Sequence, residues 1–230
     1  MRYSCVVFEL DGTLVDTTAC MTVSLNHVLA ANGRRALDAA HVRRLAPEGM
    51  RTVLRRSFVT TGEALCDVAL AEALEAFRAG YMERLLELTR PGPDLLSTLR
   101  RLRERGVSLN VLTNRHEQTV MRLTDHFGLT GLLDFLVAGD MGVARKPDPA
   151  GLQHIMASAG AEPGQTVLVG NARDDLLTAR NGGVSYAICS PFAERSHLIA
   201  QGADYVLHRL DQLVHLVTGD QGDHSASGPP

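Results

Sequence analysis

Residues 3–16, YSCVVFELDGTLVD, constrain this chain more than any other stretch. Cys5-Val6-Val7-Phe8 is a short apolar, β-branched run bounded by a turn signal, which is the pattern of a buried strand. Glu9 and Asp11 follow at once, and Gly12-Thr13 forms a tight turn before Leu14-Val15-Asp16. Carboxylates at the end of a buried strand are costly to desolvate, and a metal ion or a proton-transfer role is the usual compensation. Open α/β sheets also place their ligands at the carboxyl ends of parallel strands. A plain helix cap at Asp11 or Thr13 explains this stretch equally well when it is taken alone.

The following segment carries helical periodicity only. Val23, Leu25, Val28 and Leu29 predict a helix over Cys20–Asn32 that stops at Asn32-Gly33. Asp38 caps a short helix over Ala39–Leu45. Ala46–Gly49 is a loop, and Met50–Val59 is helical with Val53, Leu54 and Phe58 on one side. Ala64–Leu88 is a long Ala/Leu/Glu-rich helical stretch. Val15–Thr89 therefore reads as all helix.

Arg90-Pro91-Gly92-Pro93 is the clearest boundary. Beyond it, helices alternate with apolar runs. Strands are predicted over Val107–Leu112, Phe135–Val137, Val167–Val169, Ser185–Cys189 and Tyr205–Leu207. Helices are predicted over Asp94–Arg105, Glu117–Phe127, Pro149–Ala159 and Asp174–Asn181. Such alternation implies a parallel sheet covered on both faces. The first strand must join that sheet, because a lone strand does not stand by itself. The organisation expected is an α/β core of residues 1–14 and 92–217 and an inserted helical domain, residues 15–91, placed as a cap over the ligand end of the sheet. Residues 218–230, Gly/Ser/Asp/Pro-rich without apolar periodicity, read as a disordered tail.

Bulk properties narrow the function. A net charge of −3 gives no footprint for nucleic acid or for an anionic membrane. No apolar run approaches a membrane span, and the N-terminus lacks the pattern of a signal peptide. Cys5, Cys20, Cys66 and Cys189 are scattered without a CxxC pair. They read as small buried hydrophobes in a reducing, cytoplasmic protein.

Polar groups recur where strands end. Thr113 and Asn114 follow Leu112. Gly170, Asn171, Asp174 and Asp175 follow Val169, and Arg145-Lys146-Pro147-Asp148-Pro149 lies between the strands at Phe135 and Val167. In a parallel sheet these groups gather on one rim. Carboxylates, a hydroxyl, an ammonium and free backbone N–H groups together suit a divalent cation and a phosphate. Acids hold the metal, Thr113 and N–H groups bind phosphate oxygens, and Lys146 offsets negative charge. Each piece also has an ordinary reading: a solvated loop lysine at Lys146, a turn at Thr113-Asn114, helix N-terminal acids at Asp174-Asp175.

The set FELDGTLVD, VLTNR, RKPDP and VGNARDD resembles the four motifs of the haloacid dehalogenase (HAD) superfamily of phosphohydrolases. The match runs from Tyr3 to about Leu216, and the helical insertion is similar to the cap of the phosphoglycolate phosphatase and β-phosphoglucomutase branch. The resemblance implies a Rossmann-like core and an Mg²⁺-dependent phosphatase acting on a small phosphorylated metabolite, as a monomer or homodimer, without nucleic-acid or membrane partners. It implies Glu9 as nucleophile, Asp11 as general acid/base, Thr113 and Lys146 as further catalytic groups, and Gly12, Thr113, Asn114 and Lys146 around the phosphate. Glu9, Asp11, Asn171 and Asp175 stand at the metal positions. The resemblance places the loop with Glu48 and Gly49 over the substrate. Within Ala46–Arg51 and the rim residues Arg115 and His116, Arg51 is either a partner for a second anionic group or a surface arginine paired with a nearby Glu, and His116 is either a rim contact or a plain helix N-terminal residue.

Two positions depart from the family pattern, which has Asp where this chain has Glu9 and Asn171. An extra methylene moves the attacking oxygen by roughly 1 Å, a displacement able to cost on the order of a hundredfold in rate. Asn171 offers Mg²⁺ an oxygen without charge. The alternative function is a binding or scaffold protein that keeps the fold but turns over poorly. A phospho-receiver domain is too short and lacks the helical insertion. A dinucleotide-binding domain is disfavoured because no GxGxxG follows the first strand.

Overall fold

The structure, a computed structural model, describes residues 1–189 and 202–219. The sheet is built on β1 (Cys5–Phe8), whose four side chains are all buried. That continuous apolar run is what a strand covered on both faces requires. β4 (Ser108–Leu112) and β6 (Thr166–Gly170) pair with β1 on either side, both parallel, with Phe8 opposite Val111 and Val169. β5 (Phe135–Val137), β7 (Ser185–Cys189) and β8 (Tyr205–Leu207) complete the parallel order β5-β4-β1-β6-β7-β8. The chain visits β4 and β5 on one side of β1 and only then crosses to β6. The carboxyl end of β1 is therefore a topological switch point, where open α/β sheets form their ligand crevice.

Helices α5 (Leu95–Arg103), α6 (Glu117–His126), α7 (Ala150–Ala159), α8 (Arg173–Gly182) and α9 (Gln212–Thr218) connect or follow these strands. On one sheet face, Cys5, Val7, Leu112, Leu168 and Ile188 pack with Leu152, Ile155 and Met156 of α7 and Leu176 of α8. These residues lie in a compact unit formed by Met1–Leu14 with the chain from Gly92 onward; Val15–Pro91 forms a second unit.

The second unit contains α1 (Thr18–Ala31), α2 (Ala39–Leu45), a 3₁₀ turn (Ala46–Glu48), α3 (Met50–Thr61) and α4 (Asp67–Leu88). Asp38 caps α2 as expected, its Oδ1 accepting the His41 N–H at 2.7 Å. Two expectations are corrected here. Val23 is 45% exposed, and α1 instead buries Cys20, Met21, Leu25, Val28 and Leu29. The unit is also not purely helical: β2 (Val15–Asp16) pairs antiparallel with β3 (Arg90–Pro91). Each strand of that ribbon has two residues, too few to show alternation.

Cys5, Cys20 and Cys189 are buried, whereas Cys66 is exposed just before α4. Thr218, assigned above to a disordered tail, is the last residue of α9; the tail from residue 220 onward lies outside the described residues. Among the described residues no helix is long and apolar enough to cross a membrane. Removing the α2 cap with Asp38→Ala is expected to lower stability by about 1 kcal/mol, read from urea unfolding of the whole chain.

Candidate active site

The strand ends bring together the residues the sequence singles out in the sheet-bearing unit. Glu9 follows Phe8, and its N–H donates to Val169 O at 2.9 Å, so the backbone is still paired where the side chain departs. Its carboxylate is the point on which the site converges. Oε1 accepts from the N–H of Leu10 at 2.9 Å, the N–H of Asp11 at 3.3 Å and Thr113 Oγ1 at 2.7 Å. Oε2 accepts from Lys146 Nζ. Lys146 Nζ also donates to Asp175 Oδ1 at 2.5 Å. Glu9, Thr113, Lys146 and Asp175 are only 9%, 2%, 6% and 0% exposed, so these are desolvated contacts between charged groups, not solvated surface pairs.

Asp175 is fixed from its other side. Oδ2 accepts the N–H groups of Asn171 at 3.0 Å and Ala172 at 2.9 Å, which ties the start of α8 to the carboxylate. The approach requires Gly170, because a Cβ there would lie 2.5 Å from Asp175 Oδ2. Asp175, expected as a metal ligand, has both oxygens engaged by protein donors, as Glu9 does, and its side chain is fully buried. Its Oδ1 is paired with the buried Lys146 ammonium.

Asn114 was expected at the phosphate, but its carboxamide is used on backbone. Its Oδ1 accepts the Lys146 N–H at 2.9 Å and its Nδ2 donates to Lys146 O at 3.0 Å. This reciprocal pair holds the lysine loop against the end of β4. The ordinary reading of Lys146 as a solvated loop residue is overturned by its burial.

Asp11 accepts Arg115 Nε on Oδ2 at 2.5 Å. Arg115 is in turn fixed through its backbone, its N–H donating to Thr113 Oγ1 at 3.3 Å and its carbonyl accepting from Gly139 N–H at 2.7 Å. His116 Nδ1 lies 3.0 Å from Asp140 Oδ2, and Asp140 Oδ1 accepts the Glu117 N–H at 2.7 Å. That N–H first, and His116 second, hold the Asp140 carboxyl below its usual range. His116 thus belongs to the N-terminal cap of α6. Burial, and then the charge of Asp175, push the Asp174 carboxyl upward.

Gly12 brings the first motif against the last. It has φ +76°, and a Cβ on it would fall 2.0 Å from Asn171 Nδ2. The left-handed backbone and the close approach both call for glycine. Glu9, Asp11 and the Asn171 carboxamide supply oxygen donors, the ligand type Mg²⁺ takes. With Asp11 contributing through its backbone carbonyl, this donor set fits a divalent cation in chemistry, but with one carboxylate, that of Glu9. Among the described residues no group of three or more His, Cys, Asp or Glu side chains is arranged to hold a metal.

Arg51 lies in the helical unit, exposed on α3, beside a surface depression bordered by Glu72, Glu75 and Arg78. Glu48 is paired with Arg56. Sequence reasoning missed the Arg115–Asp11 pair and the backbone use of Asn114; no local pattern signals either, since each joins loops from different strands.

Residues 6–189 match the model of the haloacid dehalogenase-like hydrolases. The chain is 32% identical over 229 residues to phosphoglycolate phosphatase 1 of Pseudomonas aeruginosa, covering 94% of this chain and 82% of the relative. It is 35% identical over 202 residues to a phosphoglycolate phosphatase of Rhodospirillum rubrum, covering 86% and 84%. A haloacid dehalogenase-like family hydrolase from Streptococcus pneumoniae superposes with a TM-score of 0.81 at 19% identity, covering 94% of this chain and 98% of the other.

Lys146→Met leaves the buried Glu9 and Asp175 carboxylates without their shared cation. The expected cost is about 3–5 kcal/mol, measured by denaturant unfolding, whereas Arg51→Met on the exposed face of α3 is expected to stay within about 0.5 kcal/mol.

Proposed function

The chain belongs to the haloacid dehalogenase-like hydrolase family, and from that premise we propose that it is a phosphomonoester hydrolase of the phosphoglycolate phosphatase type. Its substrate is a small phosphorylated acid or sugar. The observation that carries this reading is the convergence of Thr113 Oγ1, Lys146 Nζ and two backbone N–H groups on the Glu9 carboxylate. Donors from three separate segments focused on one anionic centre are what stabilisation of a transferring phosphoryl group needs.

In this mechanism an oxygen of Glu9 attacks phosphorus and the bond to the alcohol oxygen breaks. Asp11, protonated, gives its proton to that leaving oxygen. Asp11 then takes a proton from a water whose oxygen attacks the phosphorus of the acyl-phosphate. Inorganic phosphate leaves, and Glu9 and Asp11 return to their starting forms. Lys146 and Thr113 hold negative charge throughout, and Asp175 fixes Lys146. A Glu9 carboxylate oxygen, a backbone carbonyl of the first motif at Asp11 and the Asn171 carboxamide would hold Mg²⁺, which would supply further charge neutralisation when bound. The relatives named phosphoglycolate phosphatase support the substrate class. The reading carries with it a cytoplasmic monomer or homodimer.

One observation favours the rival reading of a binding protein with lapsed chemistry: the Glu9 carboxylate is already engaged by every one of these donors.

The test is phosphate release from phosphoglycolate and a panel of sugar phosphates with Mg²⁺. The native chain is expected to turn over at least one of them, and Asp11→Asn to lose about a hundredfold or more in kcat. Silence of the native chain on the whole panel contradicts the hydrolase reading and favours the rival. Asn171→Asp adds a second acid to the donor set, so Mg²⁺ affinity measured by calorimetric titration is expected to rise about tenfold.

A further inference from the structure

We infer that Glu9 is the resting occupant of the chain's own phosphate-binding pocket, and that its carboxylate competes with the phosphoryl group of any ligand. The inference goes beyond the proposed hydrolysis, because it concerns what fills the pocket before a ligand arrives.

Thr113 Oγ1, Lys146 Nζ and the N–H groups of Leu10 and Asp11 come from the ends of β1 and β4 and from the loop before α7. All four meet on Glu9: three on Oε1 at 2.7, 2.9 and 3.3 Å, and the ammonium on Oε2. A pair of anionic oxygens satisfying hydroxyl, ammonium and backbone donors at such distances presents the same chemistry as two oxygens of a phosphate. The donors are shielded from solvent, with Thr113 2% and Lys146 6% exposed, and the group they hold is a side chain of the protein itself.

Side-chain length makes this possible. Glu9 reaches across to Thr113 and Lys146 while still accepting from the two N–H groups that follow it. An aspartate in its place withdraws the carboxylate by up to about 1.5 Å, the length of one carbon–carbon bond. Hydrogen bonds near 2.7–2.9 Å do not survive that retreat. A phosphate entering the native site must therefore displace a carboxylate of like charge, whereas one entering the shortened site meets donors that the carboxylate has released. Lys146 does not lose its charge balance in either case, because Asp175 holds it from the buried side.

The experiment is calorimetric titration of inorganic phosphate into the native chain, Glu9→Asp and Glu9→Ala, without substrate and with and without Mg²⁺. Both variants are expected to bind at least tenfold more tightly than the native chain. Adding Thr113→Val in the Glu9→Ala background is expected to abolish the gain, which locates the binding in this pocket. Equal affinity in all three proteins, or tighter binding by the native chain, overturns the inference. If Glu9→Ala fails to give the native melting transition, Glu9→Asp alone decides. Because the readout is binding, the inference stands or falls separately from turnover: a native chain silent in the phosphatase assay sinks the hydrolase reading and leaves this one to the titration.

Discussion

The buried ammonium of Lys146, held between Glu9 and Asp175, is the interaction on which the site depends. An isolated charge at that depth is untenable, and two isolated carboxylates are worse. Each member is therefore tied down from outside the triad. Asn114 clamps the lysine backbone, two N–H groups at the start of α8 hold Asp175, and Thr113 with two further N–H groups holds Glu9. The ends of β1, β4 and β6 and the loop before α7 are thereby locked to one another through polar groups at the rim of an apolar sheet.

Topology places this lock where it can act. With β1 between β4 and β6, the order of strands turns around at the one strand whose end carries Glu9 and Asp11. The crevice at that point receives side chains from both directions of the winding. Two glycines make the final approach possible. Gly170 allows the Asp175 carboxylate to reach its backbone donors, and Gly12 allows the Asn171 carboxamide to lie against the first loop. A side chain at Gly170 would collide with Asp175 inside the last motif, and one at Gly12 would collide with the Asn171 carboxamide and so push the first and last motifs apart.

Much of this was legible in the residues. The apolar runs at Cys5–Phe8, Phe135–Val137, Ser185–Cys189 and Tyr205–Leu207 are strands at the predicted bounds, because β-branched runs flanked by turn residues leave little choice. Polar residues directly after β1, β4 and β6 had to gather on one rim once the strands were parallel. The phase of α1 was not legible: apolar residues lie on several of its sides, and packing chose Met21 over Val23. Nor were the two-residue strands of the β2–β3 ribbon, which are too short to carry a period. The use of Asn114 on the Lys146 backbone, the capture of Asp11 by Arg115 and the enclosure of Asp175 are contacts between loops far apart in sequence. No spacing rule encodes them; they follow from where the sheet brings the loops.

The account makes Glu9 both the occupant of the pocket at rest and the group that takes up the phosphoryl during turnover. Acid quenching of the native chain during turnover of phosphoglycolate, followed by mass spectrometry of its peptides, addresses that dual role directly. The account predicts one phosphoryl group on the peptide containing Glu9, released by hydroxylamine as an acyl-phosphate is. Steady phosphate release with no phosphoryl group on that peptide, or with one carried elsewhere in the chain, would contradict it.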